Sequence, residues 1–281
     1  TVDCGTMSFE AINFANKNKV DVIVLDHHQS EVKLPNAYSV INPNRLDDQS
    51  NLNYLCAAGV CFMTLISINT YLRKSNWFKK RKIDEPNLLD FLDLVSLGTI
   101  CDVVPLIGLN RAIVKQGLKI INLKRNLGLK TLIDLCKIES KASTYHLGYI
   151  LGPRINAGGR VGKCSHGANL LLNNNPKESF QIATELEKFN SERKKLEKDL
   201  LNVALNTINK NINDPVLVLH GNHWHEGIIG IIASRLKDKF NKPTIIISLN
   251  NKIGKASARS ILGFDIGSII LAAVQNKLLI K

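Results

Sequence analysis

Three segments of the sequence contain side chains that can bind a divalent cation. Asp26, His27 and His28 follow a β-branched run in "VIVLDHH", while Asp3 lies in "TVDCG" and Asp102 in "SLGTICDVVPL". Hard divalent cations prefer carboxylate oxygens, and an imidazole added to a carboxylate set favours Mn²⁺ or a similar borderline metal. An aspartate after a strand is, taken alone, most often a cap or turn residue. Two adjacent histidines are a stronger indication, so a metal site and the polar end of a buried strand are both open interpretations.

The elements that must position these residues follow an α/β pattern. "VDVIVLDHH" is typical of a fully buried strand, and "AYSVINP" predicts a second strand that stops at Pro43. The apolar residues of "MSFEAINFANKN" and "LNYLCAAGVCFMTLISINTYLRK" have helical spacing. This alternation predicts an α/β fold with a doubly wound, mostly parallel sheet, in which ligands bind at the carboxyl ends of the strands. His27 and His28 lie at such an end.

The second half of the chain predicts a long helix and a smaller α/β domain. "GPRINAGGRVGKCSHGANLLL" is rich in glycine and predicts a loop that runs into a helix. The amphipathic "SFQIATELEKFNSERKKLEKDLLNVALNTINK" predicts a long helix with Asn190 and Arg193 on its solvated face. From "DPVLVLHG" onward, strands and helices alternate again. We therefore predict a first domain over residues 1–180, a connecting long helix over 181–211 and a smaller domain over 212–281.

The composition suits two domains with a large core and a polyanionic partner. The chain has 281 residues, of which 44% are hydrophobic and 22% are charged. Its net charge of +13 favours nucleic acid as a partner, although general use of lysine also produces such a charge without a binding face. Six cysteines form no C-x-x-C pair and indicate a reduced, cytoplasmic chain. Neither a signal peptide nor an apolar run long enough for a bilayer is visible, so no membrane partner is expected.

Together, these motifs resemble the DHH phosphoesterase superfamily. "TVDCG", "VIVLDHHQ" and "SLGTICDVVPL" match the order and spacing of its motifs. "LGPRINAGGR", "ELEKFNSERKKLEKDL", "HWHEGIIGIIASRLKDKFNKPTIII" and "GKASARSILGFDI" are similar to segments of the RecJ family of bacterial single-stranded-DNA-specific exonucleases within it. The resemblance covers nearly the whole chain. It implies a DHH catalytic domain over residues 1–180 and a DHH-associated, substrate-binding domain over 212–281.

The resemblance also implies roles for individual residues. Asp3, His27 and Asp102 are expected to be ligands of a site for two Mn²⁺ or Mg²⁺ ions. Asp26 is expected to support the loop and its histidine, and His28 to contact the scissile phosphate or the attacking water. Two-metal sites of this kind catalyse in-line phosphoryl displacement, which here implies release of 5′-mononucleotides. Substrate-binding roles are expected for Arg154, Asn156, Arg160, His225, Ser257, Arg259 and Ser260.

The implied function is a 5′ to 3′ exonuclease that acts on single-stranded DNA in DNA recombination and repair. The alternatives are another DHH phosphoesterase, acting on oligonucleotides, cyclic dinucleotides or pyrophosphate, and a catalytically silent DNA-binding scaffold. "PRINAGGR" and "HWHEGIIGI" disfavour the first alternative, and the intact aspartates and histidines disfavour the second. The family also has an Asp-x-Asp segment before "VDCG" and a Gly-Gly-His stretch in its second domain. Because both are missing, we expect a fragment of the catalytic core that is nearly inactive alone.

Overall fold

The computed structural model divides the chain into two compact units. Unit 1 contains residues 1–153 and 171–180, and unit 2 contains residues 154–170 and 181–281. The structure describes residues 1–208, 214–251 and 253–280. The predicted boundary between residues 211 and 212 therefore lies outside the described residues.

A short parallel sheet lies in unit 1. Strands β1 (Ile23–Leu25) and β2 (Ser39–Ile41) pair in parallel, and Val2 forms a parallel bridge to the end of β1. Helix α1 (Phe9–Lys17) follows the bridge and buries Ile12 on the sheet. Three chain segments thus run in the same direction, and their carboxyl ends meet at one edge of the sheet.

The first strand is shorter and less buried than the sequence predicted. Val24 is fully buried against Ile12 and Val40, but its neighbour Ile23 is half-exposed. Successive side chains of a strand point to opposite faces, so only the face that carries Val24 is covered by α1. The β-branched run located the strand correctly, but a hydrophobic run does not show whether both of its faces are covered.

Helices form the remainder of unit 1, and α4 (Leu92–Cys101) is the most buried of those that bear on the site. Its apolar Leu92, Val95 and Leu97 are buried, and it packs closely on α5 (Gly108–Asn122). A Cβ atom at Gly117 would lie 1.8 Å from Ser96 Oγ and 2.2 Å from the Leu92 carbonyl oxygen, so only glycine allows this approach. These helices are α2 (Ala57–Lys74), α3 (Trp77–Arg81), a 3₁₀ turn (Leu88–Phe91), α4 (Leu92–Cys101), α5 (Gly108–Asn122), α6 (Leu127–Leu135) and a π-helix (His146–Leu151).

Unit 2 is built on a mixed three-stranded sheet. Its strands, in spatial order, are β3 (Leu217–Asn222), β4 (Thr244–Asn250) and β5 (Ile253–Arg259), with β3 and β4 parallel and β4 and β5 antiparallel. Its core contains Leu200, Leu217, Ile228, Ile232 and Ile246, all of them buried. The elements are α7 (Gly152–Val161), α8 (Ser165–Leu172), α9 (Pro176–Ile208), β3 (Leu217–Asn222), α10 (Glu226–Phe240), β4 (Thr244–Asn250), β5 (Ile253–Arg259) and α11 (Ile266–Gln275), with the first residues of α7 and α9 and the end of α8 in unit 1.

The glycine-rich segment "GPRINAGGRV" is helical, which corrects the predicted loop. Its glycines serve close packing within unit 2. A Cβ atom at Gly158 would lie 2.8 Å from the Lys163 carbonyl oxygen, and one at Gly162 would lie 2.5 Å from the Phe189 ring. Glycine is the residue of close backbone approach as well as of turns, and the sequence does not distinguish these two uses.

The predicted fold class, α/β with a mostly parallel sheet in the first domain and a smaller α/β domain after a long helix, is confirmed. Within the part of the chain that the structure describes, no helix has the length and hydropathy of a membrane-spanning segment.

Candidate metal centre

Three of the predicted ligands lie side by side in unit 1. His27 Nε2 is 3.2 Å from Asp3 Oδ1 and 3.6 Å from Asp102 Oδ2. Ligand atoms about 2.1 Å from one octahedral ion are about 3 Å apart, so these distances suit a shared cation. His28 also lies close, because its ring and the ligand atoms of Asp3 and His27 all fall within 4.8 Å of one another.

The backbone of the sheet explains this convergence. The Asp3 amide donates to the Leu25 carbonyl oxygen at 2.9 Å, and the Asp26 amide donates to the Ile41 carbonyl oxygen at 3.0 Å. Asp3 and His27 therefore follow the ends of two hydrogen-bonded parallel segments. The third residue, Asp102, directly follows the last residue of α4. Two strand ends and one helix end thus deliver two carboxylates and one imidazole.

The electrostatics of the cluster favour a cation. The side chains of Asp3 and Asp102 are 63% and 40% exposed, so an ion can reach them, whereas His27 is only 14% exposed. Partial burial raises the pKa of the Asp102 carboxyl; His27 opposes this rise, and the negative charge of Asp3 adds to it. Two carboxylates that repel each other beside an imidazole nitrogen are stabilised by a divalent cation, so the donor set fits Mn²⁺ or Mg²⁺.

One residue of the cluster and one that directly follows it have unusual backbone conformations. Asp3 has φ of 61° and Val103, directly after Asp102, has φ of 58°. The left-handed region is tolerated by aspartate but is a marked outlier for a β-branched valine. Such conformations concentrate at functional sites, where the surrounding structure holds them in place.

A buried carboxylate, Asp26, organises the loop that carries the histidines. Its Oδ1 accepts from the His27 amide at 2.8 Å and lies 2.7 Å from His28 Nδ1, while its Oδ2 accepts from the Thr6 amide at 3.0 Å. Burial by itself raises the pKa of Asp26, but these hydrogen bonds outweigh it and hold the pKa well below its usual range. In turn, the bond to Asp26 raises the pKa of His28. The charged carboxylate thus fixes the His28 ring through Nδ1, while the His28 side chain stays 59% exposed.

Two asparagines that the sequence analysis did not select complete this support. Asn42 is buried, and its Nδ2 donates to the His28 carbonyl oxygen and to Thr6 Oγ1, both at 2.9 Å. Asn44 Nδ2 donates to the His27 carbonyl oxygen. The two side chains therefore hold the backbone of both histidines. Their only signal in the sequence is "INPN" after a strand, which is equally typical of an ordinary turn.

The predicted substrate-binding residues lie in unit 2. Two of them, Arg160 and Arg259, lie in a group of positive charges that also includes Arg193. The pKa of the Arg160 guanidinium is lowered by partial desolvation and by the charges of Arg193 and Arg259. On β5, Arg259 donates to Ser257 Oγ at 3.2 Å and to Ser234 Oγ at 3.1 Å. Arginine groups that repel one another in this way form a surface suited to an anion such as phosphate. We call Arg160, Arg193 and Arg259 the arginine cluster.

Three of the other predicted substrate contacts form hydrogen bonds within the chain, and one is exposed on the surface. Arg154 donates through Nε to Glu187. His225 is the N-cap of α10, and its Nδ1 accepts from the Gly227 amide at 3.1 Å. Ser260 donates to the Phe264 carbonyl oxygen, and Asn156 is exposed. Their proposed contacts with substrate stay predictions.

The placement of Asn190 and Arg193 on a solvated face was wrong. Asn190 is fully buried and accepts from Arg193 Nη2 at 3.0 Å. Arg193 Nη1 also pairs with Glu197 at 2.9 Å, and Arg235 pairs with the same carboxylate at 2.9 Å. The alternation of charges along α9 suggested solvent, but here the charges satisfy one another inside unit 2.

Comparisons with known proteins agree with this arrangement. Residues 1–99 match the DHH family, N-terminal domain, and residues 213–277 match the DHHA1 domain. The chain is similar to the single-stranded-DNA-specific exonuclease RecJ of Escherichia coli (strain K12), with 38% identity over 271 residues, 94% of this chain and 47% of that protein. It is 30% identical to RecJ of Bacillus subtilis (strain 168), over 95% of this chain and 32% of that protein.

Solved structures show the same similarity. RecJ from Thermus thermophilus in complex with Mn²⁺ aligns with a TM-score of 0.82 and 28% identity, over all of this chain and 40% of that one. A second structure, exonuclease RecJ bound to manganese, aligns with a TM-score of 0.78 and 29% identity, over all of this chain and 67% of that one. The chain spans about half the length of the first of the curated relatives that it matches.

Proposed function

Because the chain belongs to the DHH phosphoesterase superfamily, we propose that it is the catalytic core of a metal-dependent exonuclease that degrades single-stranded DNA in the 5′ to 3′ direction. The observation that carries the proposal is the approach of His27 to both Asp3 and Asp102, which come from separate elements. The names of the curated relatives support the substrate, and the manganese complexes of similar structures support the metal.

Asp3, His27 and Asp102 would hold a Mn²⁺ or Mg²⁺ ion, and a second ion would complete the site in the whole protein. Bound divalent cations lower the pKa of a coordinated water and stabilise negative charge on phosphoryl oxygens. The two aspartates contribute the negative charge that attracts the cation, and the imidazole of His27 contributes a neutral nitrogen ligand. Asp26, Asn42 and Asn44 keep that imidazole in place.

His28 is the residue that would meet the scissile phosphate. Its Nδ1 donates to the Asp26 carboxylate, and this bond raises the pKa of His28 and so favours the protonated ring. The protonated ring carries a second proton on Nε2, which it would donate to a phosphate oxygen. In the reaction, a water oxygen forms a bond to phosphorus while the bond from phosphorus to O3′ breaks and O3′ gains a proton. The product is a 5′-mononucleotide, and repetition from the 5′ end makes the activity exonucleolytic.

Unit 2 would bind the substrate strand. The arginine cluster supplies positive charge for phosphates, and Arg259 with Ser257 offers donors for a terminal phosphate. The full proposed set is Arg154, Asn156, Arg160, His225, Ser257, Arg259 and Ser260. A nuclease of this kind would act in DNA recombination and repair in the cytoplasm.

Nuclease assays with the protein that contains this chain test the proposal. With Mn²⁺ and 5′-labelled single-stranded DNA, we expect labelled mononucleotide as the first product and little cleavage of a blunt duplex. Asp102→Ala should lower the rate about 100-fold or more, because one ligand of the cation is lost. The matched control is Asp21→Ala, since Asp21 is exposed. Undiminished release by the Asp102 variant would contradict the assignment of the metal site.

A further inference from the structure

Two exposed tyrosines form a stacked pair in unit 1. The rings of Tyr145 and Tyr149 have centroids 5.2 Å apart and planes inclined by 26°. Their exposed fractions are 59% and 75%, so the pair packs on itself rather than into the core. Tyr145 directly precedes the π-helix and Tyr149 lies within it. π-helical turns are rare and are found frequently at functional sites.

The helix that carries the pair is fixed to the element that delivers Asp102. Leu147 is fully buried, and its carbonyl oxygen lies 3.8 Å from Cys101 Sγ. A Cβ atom at Gly152 would lie 2.4 Å from Cys101 Sγ, so glycine is required for this approach. One face of the helix therefore packs on the last turn of α4, directly before Asp102. The tyrosine pair occupies another face of the same helix.

We propose that Tyr145 and Tyr149 form a stacking platform for the bases of single-stranded DNA. The inference rests on the proposed nuclease function and names a substrate contact for it. Aromatic rings bind unpaired bases without sequence preference because every base has a π-face. In a duplex the bases already stack on one another inside the helix, so a platform of this kind discriminates in favour of single strands.

The surroundings of the pair favour nucleic acid over an apolar protein partner. The segment just before the helix carries exposed Lys137 and Lys141 against one acidic residue, Glu139. Proteins that bind single strands combine cationic side chains with aromatic rings, the cations tracking phosphates and the rings holding bases. In addition, the structure gives neither phenol hydroxyl a hydrogen bond to any residue that it describes. Lysines are depleted at the centre of a protein interface, so a lysine-bearing segment that leads into the pair favours nucleic acid.

The test is binding of a short single-stranded oligonucleotide, followed by fluorescence anisotropy in EDTA so that no cleavage occurs. Tyr145→Leu/Tyr149→Leu should weaken binding by about tenfold, as expected for lost base stacking. Tyr145→Phe/Tyr149→Phe should bind within about twofold of the unmodified protein, because the rings remain. Tyr71→Leu is the matched control, since Tyr71 is an equally exposed tyrosine on α2.

A second measurement changes the DNA. Oligonucleotides in which single bases are replaced by abasic sites should bind the unmodified protein more weakly at one or two positions. The Tyr145→Leu/Tyr149→Leu variant should bind all of these oligonucleotides equally. The platform is refuted if the Tyr145→Leu/Tyr149→Leu variant binds the oligonucleotide as tightly as the unmodified protein. It is also refuted if no abasic replacement weakens binding by the unmodified protein. A change in oligomeric state without a change in DNA affinity would also refute it and assign the pair to a protein interface.

These outcomes are separable from failure of the proposed function. Mn²⁺-dependent release of mononucleotides by the unmodified protein tests the nuclease, and it does not depend on the tyrosines being a platform. If the Tyr145→Leu/Tyr149→Leu variant releases mononucleotides and binds single-stranded DNA with normal affinity, the nuclease proposal is supported and the platform is contradicted. Absence of both release and single-strand binding in the unmodified protein would remove both proposals.

Discussion

Different means hold two regions in place: the proposed metal ligands Asp3, His27 and Asp102 of unit 1, which we call the metal cluster, and the arginine cluster of unit 2. Asp3, His27 and Asp102 project from strand and helix ends, and the loop between them is fixed by hydrogen bonds to a buried carboxylate. The arginines of the cluster in unit 2 are long side chains. Arg193 is held by its ion pair with Glu197, whereas Arg160 and Arg259 donate hydrogen bonds to a backbone carbonyl oxygen and to serine hydroxyls. The first arrangement places a few atoms accurately, and the second spreads charge over a surface.

This difference predicts how each region responds to substitution. A site for metal ions and chemistry fails when one supporting group moves by a fraction of an ångström. A charged surface loses affinity gradually, because each phosphate contact contributes a separate share. We therefore expect large effects on turnover for the metal cluster of unit 1 and smaller, salt-dependent effects on binding for the arginine cluster of unit 2.

The largest effect is expected for Asp26→Asn. An amide retains the shape of the carboxylate, but its NH₂ group must face either the Thr6 amide or the donors of His27 and His28. A buried donor facing a donor costs about 1–3 kcal/mol in the free energy of unfolding, which urea denaturation measures. The rate of mononucleotide release should fall about 100-fold or more, because both histidines lose their support.

Asp21→Asn is the control for this substitution, since it makes the same change at an exposed position. Its stability and turnover should match those of the unmodified protein within error. If Asp26→Asn loses stability but keeps normal turnover, Asp26 supports only the fold, and the proposed role of the loop in catalysis is wrong.

A smaller effect is expected for Asn42→Ala. The substitution removes two donated hydrogen bonds, to the His28 carbonyl oxygen and to Thr6 Oγ1, without changing the charge. Groups that orient metal ligands in this way typically change metal affinity by about 10-fold to 100-fold, and we expect about tenfold weaker Mn²⁺ binding by calorimetry. The maximal rate at saturating Mn²⁺ should fall less than in Asp26→Asn.

The exposed Asn206 of α9 provides the matched asparagine control. Asn206→Ala should leave the affinity for Mn²⁺ unchanged. Equal Mn²⁺ affinity in the Asn42 variant and this control would mean that the histidine loop is held adequately by Asp26 alone.

The sequence predicted the convergence of Asp3, His27 and Asp102 but not the groups that support it, for a physical reason. Asp3, His27 and Asp102 follow apolar segments whose ends can be recognised locally, so their convergence follows from the order of strands and helices. Asn42 and Asn44 act through donors to backbone carbonyl groups 14 and 17 residues away. Nothing in the residue types at those positions separates such a contact from an ordinary turn.

In unit 2 the sequence failed where packing partners are distant in the chain. The glycines of α7 were interpreted as turn signals, but Gly158 lies against Lys163 and Leu186, where a larger side chain does not fit. Asn190 and Arg193 were placed in solvent because α9 is amphipathic. Amphipathic periodicity identifies the apolar face of a helix, but it does not show that the polar face is also covered.

The smallest effects are expected in the arginine cluster. Arg160→Ala and Arg259→Ala should each weaken binding of single-stranded DNA several-fold and reduce the slope of log affinity against log salt by about 0.7, the loss of one phosphate contact to a single strand. The maximal rate should change little at saturating DNA. Arg81→Ala removes the same charge from an exposed position in unit 1 and should leave the salt slope unaltered.

If all three substitutions lower the slope equally, affinity for the strand depends only on the net charge of +13, and the arginine cluster contacts no defined part of the strand. If instead Arg160→Ala abolishes turnover at saturating DNA while binding persists, accurate placement also governs unit 2, and the contrast with the metal cluster disappears.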